Sequence, residues 1–338
     1  MFIHALTVAF LCLATAAQPQ APDKPAAPMP AAEPGKPAQA KQVAAAPRFA
    51  KGQHVVLTQY LTQPSAGKER EFPSRIDIDV TDADAKQFTL VWAISMGDKP
   101  QGLTDDEWKA VKEMMGDDTN TKLALTVDHN TAEVHLLEWE KSRDELLAKT
   151  ERLMRKTRKD ITEEGLAKAM EYMRSSMATR EGTEAVALKQ IAPYFTGLGS
   201  GLAIGDEQTV QFDQPFASRP PRNVPCTVTV RVTAAAPGPG IPDNAVRVEA
   251  SSSIDRKKGA EVLQEIVRDI QKRLRPDDKP FAVEDLDLTE RLDTIFDPAR
   301  GWPVTVRSEQ SVRSGAAKAK VTKIRWVLTE GPVSGATK

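Results

Sequence analysis

The alternation of apolar and polar residues over 75–96 is the feature that most constrains the fold of this chain. The two residue types alternate at 75–80, give way to a polar turn at 81–85, and alternate again at 88–96. Because successive side chains of a strand point to opposite faces, the pattern predicts a hairpin with one buried face. That face holds Ile76, Ile78, Val80, Phe88, Leu90, Trp92, Ile94 and Met96.

The same criteria predict strands and helices along the rest of the chain. Helices are expected at 104–115, where Thr104 and Glu107 form a capping box, at 257–274, and repeatedly between 141 and 195, with a break at Gly182 and Thr183. Strands are expected at 54–62, 123–127, 134–136, 209–212, 226–232, from 246, and at 281–288, 292–296, 304–312 and 321–328. Most connections are short, so we predict an α+β fold: a curved antiparallel β-sheet, or sheets, with several amphipathic helices packed on one side.

The N-terminal segment indicates export from a bacterial cell. Residues 1–17 have a short apolar core and small residues at 14–17, which is typical of a secretory signal peptide. The absence of Lys and Arg before the apolar core leaves open an uncleaved anchor. We therefore expect a periplasmic or secreted protein without a transmembrane segment after cleavage.

Composition divides the remaining chain into segments. Residues 18–47 are rich in Ala and Pro and are expected to be a disordered linker. Residues 48–330 are expected to form one β-rich globular domain, with two similar halves at 48–205 and 206–330 as an alternative description and a helical insert at 140–195. Residues 331–338 are expected to be a flexible tail.

Charge and cysteine content exclude several functions. The chain has 46 Lys and Arg against 47 Asp and Glu, so it lacks the basic excess of a nucleic-acid-binding protein. After removal of the signal peptide, Cys226 is the one remaining cysteine, so an internal disulfide is impossible. Cys226 is in phase with the apolar residues of its strand, which predicts a buried thiol.

Short turn and strand-start motifs carry a family resemblance. They are Lys51-Gly52-Gln53, Leu125-Thr126-Val127-Asp128 before His129-Asn130, Gly205-Asp206, and Phe296-Asp297-Pro298 before Gly301-Trp302-Pro303. In their order, these motifs resemble a loose group of secreted bacterial β-rich proteins of unknown function. The resemblance implies an exported β-rich domain and supplies no catalytic residues.

No catalytic or metal-binding motif is found. His54, His129 and His135 fit no standard ligand spacing, and we predict no metal site and no cofactor. Gly199-Ser200-Gly201 is not a nucleophile elbow. Ser65 and Lys68 match a common S-x-x-K pattern without its partner motifs. The acidic residues at 285–293 alternate as the wet side of a strand would. The sequence therefore indicates a protein that is not an enzyme.

Two hypotheses of function lead, and an enzyme whose site is assembled from scattered residues is a third option. The first is a non-catalytic binding or scaffold module of the cell envelope with an unknown protein partner. The alternative is a carrier or sensor of an apolar, lipid-like ligand in a cleft between sheet and helices. Met170, Met173 and Met177 share one helical face and are the candidate ligand contacts, although helix packing or Cu(I) binding would use the same spacing. In the carrier, the glycine-rich loop 197–205 would form part of a movable lid.

Overall fold

A computed structural model of the chain describes residues 45–65, 68–100, 102–115, 121–157, 161–216, 222–255, 257–274, 287–313 and 319–334. The strands are β1 (Gln53–Ser65), β2 (Lys68–Ala83), β3 (Gln87–Met96), β4 (Thr121–Asp128), β5 (Val134–Leu136), β6 (Glu207–Phe216), β7 (Arg222–Ala234), β8 (Val246–Ile254), β9 (Asp287–Asp297), β10 (Trp302–Arg313) and β11 (Lys320–Ser334). The helices are α1 (Asp105–Met115), α2 (Trp139–Thr157), α3 (Glu163–Ser176), α4 (Arg180–Ala187), α5 (Ala192–Phe195) and α6 (Lys258–Leu274).

The eleven strands form one antiparallel sheet in the order β5-β4-β3-β2-β1-β11-β10-β9-β8-β7-β6. Strands β1–β5 and β6–β11 are two meanders, and they join where β1 pairs with β11. The sheet is curved and unclosed, with six helices packed against it, which confirms the predicted α+β class. Its edges are β5 and β6, and the connection between them carries α2, α3, α4 and α5.

The hairpin expected from the alternation is β2–β3. Val80 pairs with Leu90, Ile78 with Trp92, and Ile76 with Ile94, so the apolar residues share one face. Ile76, Ile78, Leu90 and Trp92 are each 0% exposed. The capping box also forms, because the Thr104 amide donates to Glu107 Oε2 at 2.8 Å and the Glu107 amide donates to Thr104 Oγ1 at 3.2 Å.

Aromatic side chains fill the main core beneath the sheet. Trp92, Trp302, Trp326, Tyr194 and Phe195 are among the largest fully buried side chains. Each of these five side chains is at most 1% exposed, so neighbouring groups surround them on all sides.

The segment before β1 is part of this core. The Phe49 ring centroid lies 4.0 Å from that of Trp302 and 4.7 Å from that of Phe88. Ala45 is 2% exposed, and its carbonyl accepts a hydrogen bond from the Gly199 amide. Residues 45–47, which the sequence assigned to the linker, therefore belong to the folded domain; residues 1–44, with the predicted signal peptide, lie outside the described residues.

Helix α4 contacts both edge strands, β5 and β6. Glu184 Oε1 accepts the Leu136 amide at 2.8 Å, and the Leu136 carbonyl accepts Arg180 Nη2 at 2.6 Å. Two side chains one helical turn apart thus satisfy the outward backbone groups of Leu136. An edge covered in this way is closed to further strand pairing.

Three boundaries expected from the sequence are wrong. Gly182 and Thr183 lie inside α4, because Thr179 caps this helix by accepting the Gly182 amide. Gly182 is required there since a Cβ would collide with the Ser176 carbonyl oxygen. Residues 287–297 form one strand rather than parts of two, and residues 281–286 lie outside the described residues. Residues 331–334 are the end of β11 and not a tail.

Candidate functional site

A depression of about 580 Å³ lies on the polar face of the sheet, formed mainly by β6–β11 with one residue each from β1 and β2. This face is opposite to the one that packs on the aromatic core, because its residues alternate with buried ones such as Val248, Thr294 and Val306. A volume of this size is within the range of ligand and peptide sites, about 300–1,000 Å³. It is therefore the leading candidate site of the described residues.

Charged side chains of both signs line the depression. The cations are Arg231, Arg247, Arg291, Arg307, Lys323 and Arg325. The carboxylates are Glu71, Glu207, Glu249, Asp293 and Glu309. The strand register sets this arrangement, because it brings together polar-face residues that are far apart in the chain.

Ion pairs hold half of the cations in place. Arg247 Nε lies 2.8 Å from Asp293 Oδ1, and its Nη2 lies 3.1 Å from Glu249 Oε1. This bridge neutralises two carboxylates that stand directly opposite each other on β8 and β9. The hydrogen bond to Asp293 is the main cause that raises the pKa of Arg247.

The β11 cations are anchored at the other side of the depression. Arg325 Nη2 lies 3.2 Å from Glu71 Oε2, and its guanidinium lies 4.1 Å from the centroid of the Tyr60 ring. Lys323 Nζ lies 3.3 Å from Glu69 Oε1. The salt bridge and cation–π contact fix the direction in which Arg325 faces the depression.

Arg231, Arg291 and Arg307 are exposed, and among the described residues no carboxylate lies within ion-pair distance of them. We name these three side chains the open arginines. Arg307 stands directly opposite Arg325 on β11 and directly opposite Asp293 on β9. Like charges in directly opposed positions destabilise a sheet. Arg307 therefore has one like-charged and one oppositely charged cross-strand neighbour, and the carboxylate of that second neighbour is bound by Arg247.

The chemistry of this site is recognition. Guanidinium groups bind carboxylates through paired N–H donors and keep their charge at all relevant pH values. The depression also presents Glu207 and Glu309 beside Arg231 and Arg291, their direct cross-strand neighbours. A bound partner would therefore meet a pattern of alternating charge.

The three candidate methionines lie away from the depression. Met170 and Met177 are 2% and 0% exposed and pack with Leu147 and Leu166 in a separate cluster between helices, with Met173 at its margin. Among the described residues that line the depression, none is a methionine. Their ligand contact stays a prediction, and the observed role is helix packing.

The histidines occupy structural positions. The His129 ring stacks on Phe88 with centroids 3.7 Å apart. His135 Nδ1 lies 3.2 Å from Glu184 Oε2, and its Nε2 lies 3.5 Å from Glu133 Oε1. His54 Nδ1 bonds Asp79 Oδ1 at 2.7 Å. Within the described ranges, no three His, Cys, Asp or Glu residues are grouped closely enough to hold a metal ion.

The other sequence candidates are dispersed. Cys226 is 5% exposed and packs with Val224, Ile254 and Leu263, which confirms the predicted burial of its thiol. Ser200 lies in the loop before β6, and Ser65 pairs with Lys68 at the turn between β1 and β2.

The glycine-rich loop 197–205 is packed at two points. Gly199 has a φ of +68°, its amide bonds Ala45, and a Cβ would lie 2.5 Å from the Asn130 carbonyl oxygen. Gly197 likewise has a φ of +83° and lies against Val248. Both positions require glycine for steric reasons.

Comparisons with known proteins add little. No protein-family model matches the chain, and no curated protein matches it. A solved structure titled "Lipid-protein interactions in lipovitellin" aligns over 86% of this chain with 9% identity and a TM-score of 0.34. The chain spans 26% of that lipovitellin chain, and a TM-score this low does not establish a common fold. No described helix has the length and hydrophobicity that a membrane span requires.

Proposed function

We propose that this chain is a non-catalytic binding module that recognises a partner protein through the depression on the polar face of the sheet. The observation that carries the proposal is Arg307, which faces Arg325 on one side and has no ion-pair partner among the described residues, because Asp293 on its other side is bound by Arg247. A carboxylate of the partner between these guanidiniums would remove their repulsion. The binding energy would therefore include relief of a cost already present in the free chain.

A protein partner suits the depression better than a uniformly charged polymer. Five carboxylates line the depression together with six cations, so a polyanion would meet repulsion as well as attraction. A polypeptide that carries both signs can place acidic residues on the open arginines and basic residues on Glu207 and Glu309. Such complementarity selects the partner and its register more than it adds affinity.

The proposal places the protein outside the cytoplasm of a bacterium. Residues 1–17 would direct export, as the sequence predicts, and residues 18–44 of the predicted linker 18–47 would tether the folded domain. The absence of a catalytic motif fits a module that works by binding.

Site-specific photocrosslinking in cells that produce the protein tests this proposal. The photoreactive residue replaces Ser251, an exposed residue opposite Arg291 in the depression. The matched control replaces Glu171, an exposed residue of α3 on the helical layer. We expect a discrete protein adduct at position 251 that is absent at 171. Adducts of equal yield at both positions, or none at either, would contradict the proposal.

A lipid-like ligand is the second candidate, supported by one observation. Leu61, Phe72 and Ile324 are direct cross-strand neighbours on the apolar face, and each remains partly exposed. An apolar chain could cover this patch from the helical side of the sheet.

Native mass spectrometry of the chain purified without detergent separates the two candidates. An added mass of lipid size that Leu61→Glu removes would favour the carrier. The mass of the chain alone would favour the binding module.

A further inference from the structure

Helix α4 contacts both edge strands of the sheet, but the two edges differ in how their main-chain groups are hydrogen-bonded. Arg180 and Glu184 bond both outward backbone groups of Leu136 on β5. Within the described residues, no side chain bonds the outward main chain of Thr209, Gln211 or Asp213 on β6, a strand of 10 residues. Long strand edges with free N–H and C=O groups are templates for pairing with another chain.

The register identifies the outward groups of β6. The Val232 amide donates to the Asp206 carbonyl, so inward-bonded pairs continue at Gln208–Val230, Val210–Val228 and Phe212–Cys226. Because inward and outward residues alternate along an antiparallel strand, the N–H and C=O groups of Thr209, Gln211 and Asp213 point to the open edge.

We propose that β6 pairs with β6 of a second copy, antiparallel and centred on Gln211, to form a homodimer with a continuous sheet. In this register Gln211 stands opposite itself and Thr209 stands opposite Asp213. Val210 then stands opposite Phe212 on the apolar face, where both side chains are partly exposed in the single chain. In this register no like charges are directly opposed between residues 208 and 213. The Thr209 hydroxyl of each copy faces the Asp213 carboxylate of the other.

Self-complementarity favours a second copy over an unrelated peptide. A two-fold axis pairs one patch with itself, so each favourable pair occurs twice. The two apolar pairs fall at the close, non-hydrogen-bonded positions, where side chains contact best. The inference does not depend on the proposed partner of the depression.

Cysteine crosslinking of the full chain tests the register. Across the axis, the two Cα atoms at position 211 would be about 5.5 Å apart, inside the range for a disulfide. At position 209 the two copies would be four residues out of register, about 14 Å apart, too far for a disulfide. The two variants share the same native cysteines, Cys226 and, where residues 1–17 are retained, Cys12, so any difference between them reports the new thiol.

We expect Gln211→Cys to give at least about tenfold more disulfide-linked dimer than Thr209→Cys under mild oxidation. Light scattering should give twice the chain mass for the unmodified protein and the single mass for Gln211→Pro. Proline removes an outward N–H, which an edge strand tolerates, and circular dichroism checks its folding. A monomeric unmodified protein, or equal crosslinking at 209 and 211, would overturn the proposal.

Discussion

Glu184 of α4 accepts the backbone amide of Leu136 in the edge strand β5, at 2.8 Å, across 48 residues of sequence. The same carboxylate accepts Arg180 Nε at 3.0 Å and lies 3.2 Å from His135 Nδ1. One side chain thus links the helical insert to the sheet edge. Since α4 also contacts β6, it supports both edges of the unclosed sheet.

Loss of this carboxylate should weaken the fold. Glu184→Ala leaves the partly buried Leu136 amide without its acceptor, which should lower the free energy of unfolding by about 1–3 kcal/mol. Glu181→Ala, at an exposed position of the same helix, is the matched control and should change it by less than about 0.5 kcal/mol. Urea denaturation measures both, and equal effects would show that Glu184 does not hold the edge.

His135 should make stability depend on alkaline pH. Its hydrogen bonds to Glu133 and Glu184 raise its pKa from 6.5 to about 9. A raised folded-state pKa gives stability that is fully present below pH 6.5 and is lost as pH rises through about 9. The ring is substantially exposed, so we expect His135→Gln to cost only about 0.5–1 kcal/mol at pH 6. Thermal unfolding from pH 6 to 10 should show the two proteins converge; a constant difference would contradict this origin.

Glu290 should make the stability of the fold depend on pH between about 4.5 and 7. Burial raises its pKa from 4.5 to about 7, although Ser308 donates a hydrogen bond to it. Because the folded state binds the Glu290 proton more tightly, this residue contributes stability that is fully present below pH 4.5. That contribution is lost as pH rises through about 7. Glu290→Gln should therefore stabilise the protein by about 2 kcal/mol at pH 8 and change little at pH 4. Denaturant titrations at both values check this, and destabilisation at pH 8 would contradict it.

Arg307 should contribute little or nothing to the stability of the unbound protein. Arg307→Thr removes both the repulsion from Arg325 and the attraction to Asp293, which is already bound by Arg247, so it should change stability by less than about 0.5 kcal/mol. Arg247→Thr on the same face is the control, and it should lower stability by about 1 kcal/mol because two opposed carboxylates lose their bridge. If Arg307→Thr destabilised the protein as much as Arg247→Thr, Arg307 would be a structural residue.

Local sequence patterns predicted the local structure. The alternation at 75–96 gave the β2–β3 hairpin because one buried face fixes its register. Thr104 and Glu107 marked the start of α1, and the phase of Cys226 marked its burial. The expectation that Gly182 breaks a helix was wrong, because this glycine is set by its close contact with Ser176, which arises from how α3 and α4 pack.

The candidate site could not be predicted in the same way. Asp293 was expected only as the wet side of a strand, which is correct but incomplete. Arg231, Arg291 and Arg307 come from β7, β9 and β10, and their proximity depends on pairings across long stretches of sequence. The only sequence pattern that pointed to the depression was a charged residue at alternate positions in each strand. Any solvated face of a sheet has the same pattern.

Charge reversal in the photocrosslinking experiment at position 251 tests the central claim most directly. The double variant Arg291→Glu with Arg307→Glu alters two open arginines, and Arg174→Glu with Arg268→Glu makes the same change of charge on exposed positions of α3 and α6. We expect the protein adduct to disappear in the first variant and to persist at full yield in the second. An adduct that survives reversal of Arg291 and Arg307 would contradict recognition through the depression.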